Sequence, residues 1–498
     1  MGHNSNQNDC NEHMPGKQVE VDDSSYKAPF EDAFRKVMSP VQAFTQNEIA
    51  GGLVLMLCLI VALIFANTEL HDAYEHFIHT MVGVAIGEEV LEKSIHHWIN
   101  DGLMTLFFLV VGLEIKREAM VGELSSLSKA ALPVIAAFGG MIVPASLYFL
   151  VNHEGAMVRG WGIPMATDIA FAVGILALLG RHVPSSVMAF LLALAIADDL
   201  GAVLVIGIFY TEHLYLSYLA IAAVFLGVLL LFNVMGVRSL TAYLLVGIFV
   251  WAAFLKSGIH ATLAGVLVAM TIPVRPKYHP ESFSNDMRCL LKRFDSYNKP
   301  ASEKTSFAWG TFSNSKQAEL VEEMDMAATQ AASPLRKLEH ALHPLAAFVI
   351  IPIFALANAG VVIHFEKIGE AVSNPVTIGV MLGLVVGKLI GIAGSTWIAI
   401  KLKIGILPRG ADFKHIIGVG LMGGIGFTMS IFVTELAFLG SHELLDSAKT
   451  GILFASATAG ILGYLWMKYM TKPLPISGGE NVDGSSEKTE KAYQLAEN

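Results

Sequence analysis

Charge is scarce in this sequence. Charged residues fill 15% of the 498 positions, against about 25% in an ordinary soluble protein. A soluble chain of this length has too much surface to cover with so few, so a set of soluble domains is excluded. Cysteine is scarcer still. Cys10, Cys58 and Cys289 lie far apart, with no CxxC and no metal-ligand spacing, and no disulfide framework follows. Basic residues are outnumbered, 33 against 43 acidic, and a net charge of -10 repels a phosphate backbone, which excludes a nucleic-acid binder. No basic-then-apolar signal peptide opens the sequence either.

What is present is apolar. Hydrophobic residues make up 54% and mean hydropathy is +0.57, the composition of a polytopic membrane protein. Twelve apolar runs are readable, near 50–67, 98–113, 130–151, 161–180, 185–210, 214–234, 240–255, 258–274, 345–363, 376–400, 416–438 and 450–468. Most reach the roughly 20 residues that cross a bilayer as helix. The second is the weakest, opening on Asn100 and Asp101. The fourth carries Gly162, Pro164 and Asp168 and makes a poor continuous helix.

With the N-terminus inside, the segments on that side hold 27 Lys and Arg and the outer loops five: Lys93, Arg159, Lys256, Lys367 and Lys449. Setting aside the ten in the long polar block leaves 17 against five, so both termini are expected in the cytoplasm. The chain then divides into a polar cytoplasmic tail (1–45), helices one to eight (46–274), a cytoplasmic inserted loop (275–337), helices nine to twelve (338–470) and a disordered cytoplasmic tail (471–498). Within the insertion one short helix is expected around Ala318–Ala328. The basic residue left over is Lys388, in the middle of run ten.

Ionised groups deep in a bilayer cost about 2.5–3.5 kcal/mol on insertion scales. Asp168, Asp198, Asp199 and Lys388 are such groups, and they mark an ion or proton pathway by default. A purely structural ion pair would need one acid, and here there are three. Neighbours on a helix point about 100° apart, so one of Asp198 and Asp199 faces a cavity while the other turns toward an adjacent helix, where Lys388 could meet it. Carboxylates suit Na+ or another hard cation. Two adjacent buried acids also hold protons as a coupled unit, and a site that takes either protons or a cation, reachable from each side in turn, is an exchanger. Run eleven has Gly418, Gly420, Gly423, Gly424 and Gly426 before Thr428. Runs four and eleven are the middle members of the triplets three to five and ten to twelve, and broken helices at matching positions point to an all-α transporter of inverted-topology repeats with its site at the midplane. The blander reading, that glycine merely permits close packing, is outweighed by the acid in run four.

The sequence resembles the NhaA family of Na+/H+ antiporters from about Gly51 to Met467. The matching strings are WINDGLMTLFFLVVGLEIKRE, PVIAAFGGMIVPA, ATDIAFAVGILALLG, ALAIADDLGA, LKSGIHATLAGV, LEHALHP, FALANAGV, GKLIGI and GGIGFTMSIF. The family is itself a known case of inverted repeats, so the two readings are not independent. The resemblance implies twelve helices, with broken helices four and eleven crossing near the midplane, and electrogenic exchange at the bacterial inner membrane, with more than one proton entering per sodium or lithium extruded and no cofactor. Asp199 would be the central cation and proton ligand. Asp198 would be a second carrier or the partner of Lys388, and Thr167 and Asp168 would line the site and balance opposed helix ends. Asp101 would stand on the pathway. Glu114, Glu118, Glu339, His340 and His343, together with His260, match positions linked to the family's pH response, although a solvated helix end is the plainer reading of the clusters. The segment MVGVAIGEEV falls where relatives carry a β-hairpin used in dimers, which implies a homodimer in the lipid bilayer. Two departures stand out: the block 277–335 is longer than the usual connection, and Leu389 follows Lys388 where proline is frequent. Of the other classes, an intramembrane aspartyl protease lacks its Gly-x-Gly-Asp string here, and a passive cation channel sits badly with Lys388. An antiporter for K+ differs only in cavity size and ligand count.

Overall fold

A computed structural model describes residues 48–473 apart from 87–88, 123, 212–213, 277–279, 298–314, 363–368 and 370–372. The expected tails lie almost wholly outside the described residues. Eight uninterrupted helices are long and apolar enough to cross a membrane: Ile95–Met120, Lys129–Val151, Ser185–Phe209, Leu216–Val234, Leu240–Ser257, Pro334–Asn358, Pro375–Lys401 and His442–Met470. Three bent pairs add Ala50–Ala66 with His71–Ile78, Gly155–Met165 with Ile169–His182, and Phe413–Met422 with Phe427–Ala437, and Thr262–Thr271 is a shorter apolar helix. Every one of the twelve apolar runs therefore corresponds to a helix or a bent pair, and they are numbered here as spans one to twelve in chain order.

The first bent pair differs from the others. The helix Glu48–Ala66 has 19 residues, about 28 Å at 1.5 Å per residue, enough to cross alone. Asn67 ends it by donating to Leu63 O and Val361 O, both at 2.8 Å, and the chain turns 114° into His71–Ile78. The polar sequence HDAYEHFI thus runs across the end of span one rather than prolonging it. Two antiparallel strands follow, Met81–Ile86 and Glu89–Ser94, paired from Met81↔Ser94 to Ile86↔Glu89.

Apolar side chains cover the outside of spans six and seven, where Val224, Leu230, Leu231, Leu245, Ile248 and Phe249 are all more than half exposed. A surface of this kind faces lipid, not water. The interior is built on small residues. Span three (Leu127–Val151) and span ten cross so closely that a methyl group on Gly391 would run into the backbone of Gly139, and one on Gly387 would lie 2.7 Å from Pro144 Cα. Glycine there lets two backbones meet where no hydrophobic force holds helices together. Span ten also widens into a π-helical turn at Leu382–Gly387, directly before Lys388, a distortion common at functional positions. Leu389 continues this helix unbroken to Lys401.

Three sequence expectations change. Span two runs from Ile95 to Met120, longer at both ends than the run 98–113, and its polar Asn100 and Asp101 sit on a π-helical turn over Trp98–Leu103. Span nine begins at Pro334 rather than near 345, because an amphipathic polar stretch continues the helix; Leu335, Leu338 and Glu339 are buried in it. Lys449, expected in an outer loop, is buried within span twelve. The polar block 276–332 forms a unit of its own. It holds two helices, Pro280–Ser296 and Ser315–Ala331, joined by an Arg293–Glu323 pair at 3.3 Å. The first went unread although Phe283, Met287, Leu290, Leu291 and Phe294 recur at helical spacing.

Candidate functional site

Spans four and eleven are each interrupted. Span four is a 3-10 helix over Gly155–Met165, an extended link through Ala166 to Asp168, and an α-helix over Ile169–Leu179, bent by 41°. Pro164 lacks an N–H, and Thr167 and Asp168 favour caps over helix interiors. Span eleven breaks at Gly423–Gly426 between Phe413–Met422 and Phe427–Ala437, bent by 46°. The two breaks are tied by Asp168 N donating to Ile425 O at 2.6 Å.

Asp168 serves both. Its Oδ1 accepts from Phe171 N at 3.0 Å, and its Oδ2 accepts from Thr428 N at 3.0 Å and Thr428 Oγ1 at 2.6 Å. One carboxylate therefore caps two helix N-termini, each carrying unsatisfied N–H groups and about half a positive charge. Each cap is worth about 1 kcal/mol. The opposite pole is Gly423 O, at the C-terminal end of the first half of span eleven. Thr167 Oγ1 lies 3.0 Å from this carbonyl and 3.1 Å from Asp198 Oδ2, and its single proton serves one at a time.

Span five (Ser185–Phe209) carries Asp198 and Asp199 without solvent exposure. Lys388 Nζ, equally buried, pairs with Asp198 Oδ2. Asp198 Oδ1 and both oxygens of Asp199 have no hydrogen-bond partner among the described residues. Asp199 is therefore a buried carboxylate with no hydrogen bond or ion pair among the described residues, a costly arrangement unless a proton or cation is bound. Among the described residues no three His, Cys, Asp or Glu side chains converge as a metal cage. Asp168, with both oxygens engaged, is held as a cap; the open oxygens belong to Asp198 and Asp199.

A family model described as Na+/H+ antiporter 1 matches residues 42–467. The chain belongs to this family. The Na(+)/H(+) antiporter NhaA 1 of Saccharophagus degradans is 46% identical over 438 residues, covering 88% of this chain and 93% of that protein. The Na(+)/H(+) antiporter NhaA of Syntrophobacter fumaroxidans is 48% identical over 441 residues, 88% and 92% of the two chains. That of Wolinella succinogenes is 48% identical over 428 residues, 85% and 92%.

In this member of the Na+/H+ antiporter 1 family, the other positions singled out in the sequence fall into two groups. Glu114 and Glu118 sit near the end of span two beside Arg117, whose Nε bonds Glu339 Oε1 and whose Nη1 pairs with Glu118 Oε1, both at 2.8 Å. Lys116 donates to Met270 O and Ile272 O, each at 2.6 Å, closing the C-terminal carbonyls of the short span eight. Glu114 lies within electrostatic reach of both Glu339 and Asp199. His340 and His343 are exposed on the same helix as Glu339. The structure does not bring His260 to this cluster: its Nε2 is 3.1 Å from Tyr210 O at the opposite end of span five. Asp101 lines a cavity with Lys93, His97, Trp98, Trp251 and Leu255, and its carbonyl accepts from Trp251 Nε1 at 2.9 Å and from the Thr105 hydroxyl.

Sequence reading missed Thr428 as the second partner of Asp168, and it missed a buried Glu435–Lys449 pair at 2.7 Å. Glu435 lay three residues from the end of run eleven, where the rule that singled out Asp168 in mid-span is weaker.

Proposed function

We propose that this protein exchanges Na+, and Li+, for protons across the membrane by alternating access, extruding the cation and so setting internal sodium and pH. The observation that carries the reading is Asp199. It is fully buried, has no hydrogen-bond donor among the described residues, and adjoins an Asp198 already held by Lys388 and Thr167. A proton or a small hard cation offsets that charge, and the two occupants exclude each other. Asp199 is the shared ligand, with the open Oδ1 of Asp198 as the second oxygen. The cation displaces the protons on one side, and protons displace it on the other. Asp168 and Lys388 hold the helix ends and Asp198 in place during this exchange. Passage of more than one proton per cation makes it electrogenic. The exchange draws only on ion gradients and requires no cofactor.

Glu114, Glu118, Glu339, His340 and His343 stand at the cytoplasmic mouth, where protonation would set the pH range. Asp101 and His260 stand toward the outer mouth. The distribution of basic residues supports cytoplasmic termini in a bacterial inner membrane, and the two-stranded hairpin, which pairs with no third strand among the described residues, suits pairing with a second copy in a homodimer. In everted vesicles holding an acid interior, added Na+ or Li+ is expected to dissipate the pH gradient. Dissipation by K+ alone would change the cation, and no response to any of the three would remove the reading.

A further inference from the structure

Among the described residues, a buried charged cluster lies outside the proposed transport site. Glu435, on the second half of span eleven, pairs with Lys449 of span twelve at 2.7 Å, and both are less than a tenth exposed. Its other oxygen, Oε2, faces His96 Nε2 of span two at 3.6 Å. The same His96 nitrogen lies 2.9 Å from Asn358 Oδ1 at the end of span nine. Asn100 Nδ2 stands 3.4 Å from the same nitrogen, and in the tautomer with Nε2 protonated His96 serves Asn358 Oδ1 and Glu435 Oε2. Asn100 and Asn358 exchange amide hydrogen bonds of 3.2 and 2.9 Å behind it, and Asn358 Nδ2 also holds Phe354 O at 3.0 Å. One turn deeper, Phe432 packs against Phe108 of span two and Phe354 of span nine, with ring centroids 5.4 and 6.1 Å apart.

These contacts divide into two sets. Glu435–Lys449 joins consecutive spans of one triplet, whereas His96 and Asn358 belong to spans outside both triplets. The boundary between them is where a repeat must move against its surroundings if the site is to change sides. The half-helix Phe427–Ala437 is a rigid link across this distance. Thr428 at one end bonds Asp168, and Glu435 lies seven residues on, about 10 Å at 1.5 Å per residue.

We propose that His96, through Asn358 and Glu435, is a positioning residue that latches the outer end of the transporter shut, and that this contact opens each time the cation site turns outward. The Phe432 layer seals the same path while the latch is closed. The inference rests on the exchange and orientation proposed above. Buried polar contacts of this kind shift a two-state equilibrium by a modest factor, and apparent affinity follows the population of the competent state. Cutting the latch therefore favours the outward-facing state.

The test is the sodium dependence of exchange by His96→Leu, measured in everted and in right-side-out vesicles beside the parent. At the cytoplasmic face the KM for Na+ rises by roughly three- to tenfold, and at the outer face it falls by a similar factor. His96→Gln, which keeps a donor at that position, restores parental values. Glu435→Gln combined with Lys449→Met removes the charge pair without leaving either charge alone, and gives the same opposed shifts should His96→Leu not reach the membrane. A KM that is unchanged on both sides, or that rises on both, overturns the latch, since a merely structural role moves the two faces together. Exchange by the parent in the same vesicles tests the transport reading separately.

Discussion

Replacing Asp199 with alanine reduces sodium-dependent proton movement to the level of vesicles lacking the protein, while the protein stays folded. Both halves of this result follow from one feature. The Asp199 side chain donates and accepts nothing within the described structure, so no hydrogen bond of the described residues is lost when it goes. Removing a buried, unpartnered carboxylate also removes its desolvation penalty. The thermal midpoint of the detergent-purified variant is therefore equal to or above that of the parent. The exchange, by contrast, loses the ligand proposed for the competition of cation and proton. Fluorescence quenching in everted vesicles reads the first outcome and a thermal melt the second. Substantial exchange by the variant would move the site elsewhere.

Lys388→Ala has the opposite signature. Here the ammonium is fully buried against Asp198, and Thr167 is the remaining donor to that carboxylate. Breaking a buried ion pair from one side costs about 3–5 kcal/mol, because the surviving charge stays buried without its partner. The variant is expected to show a sharply lower thermal midpoint and reduced amounts in the membrane. Pairing it with Asp198→Asn recovers most of the lost stability, since neither charge is then left alone. A single Lys388→Ala protein as stable as the parent would mean that the pair contributes nothing to holding spans five and ten.

How far these features were readable from sequence depends on where a residue sits in its span. Asp198, Asp199 and Lys388 were legible because each interrupts the middle of a long apolar run, where a charge has no ordinary explanation. The breaks in spans four and eleven were legible from Pro164 and the glycines around Gly423. The second role of Asp168 was not, because Thr428 lies 260 residues away and only the meeting of the two breaks brings them together. Glu435 and Lys449 escaped notice for another reason. Both stand within two turns of a helix end, and a charge there reads as a boundary residue until the fold shows it buried and paired. Span nine shows the same limit in reverse: its helix begins eleven residues before its apolar stretch, at Pro334 rather than 345, since hydropathy marks the bilayer and not the end of the hydrogen-bond ladder. Leu335 N donating to Pro273 O at 3.2 Å, which joins the two roots of the inserted block, is a contact no local pattern announces.

The central claim is that one pair of buried carboxylates holds either protons or a cation. Proton release on sodium binding tests it most directly. Purified protein is held in weakly buffered detergent solution near neutral pH, NaCl is added, and the pH change is compared with that on adding the chloride of a large organic cation. Na+ is expected to acidify the solution in a way that saturates with concentration and is absent from Asp199→Ala. Saturable sodium binding with no proton released, or release that persists undiminished in Asp199→Ala, would contradict it.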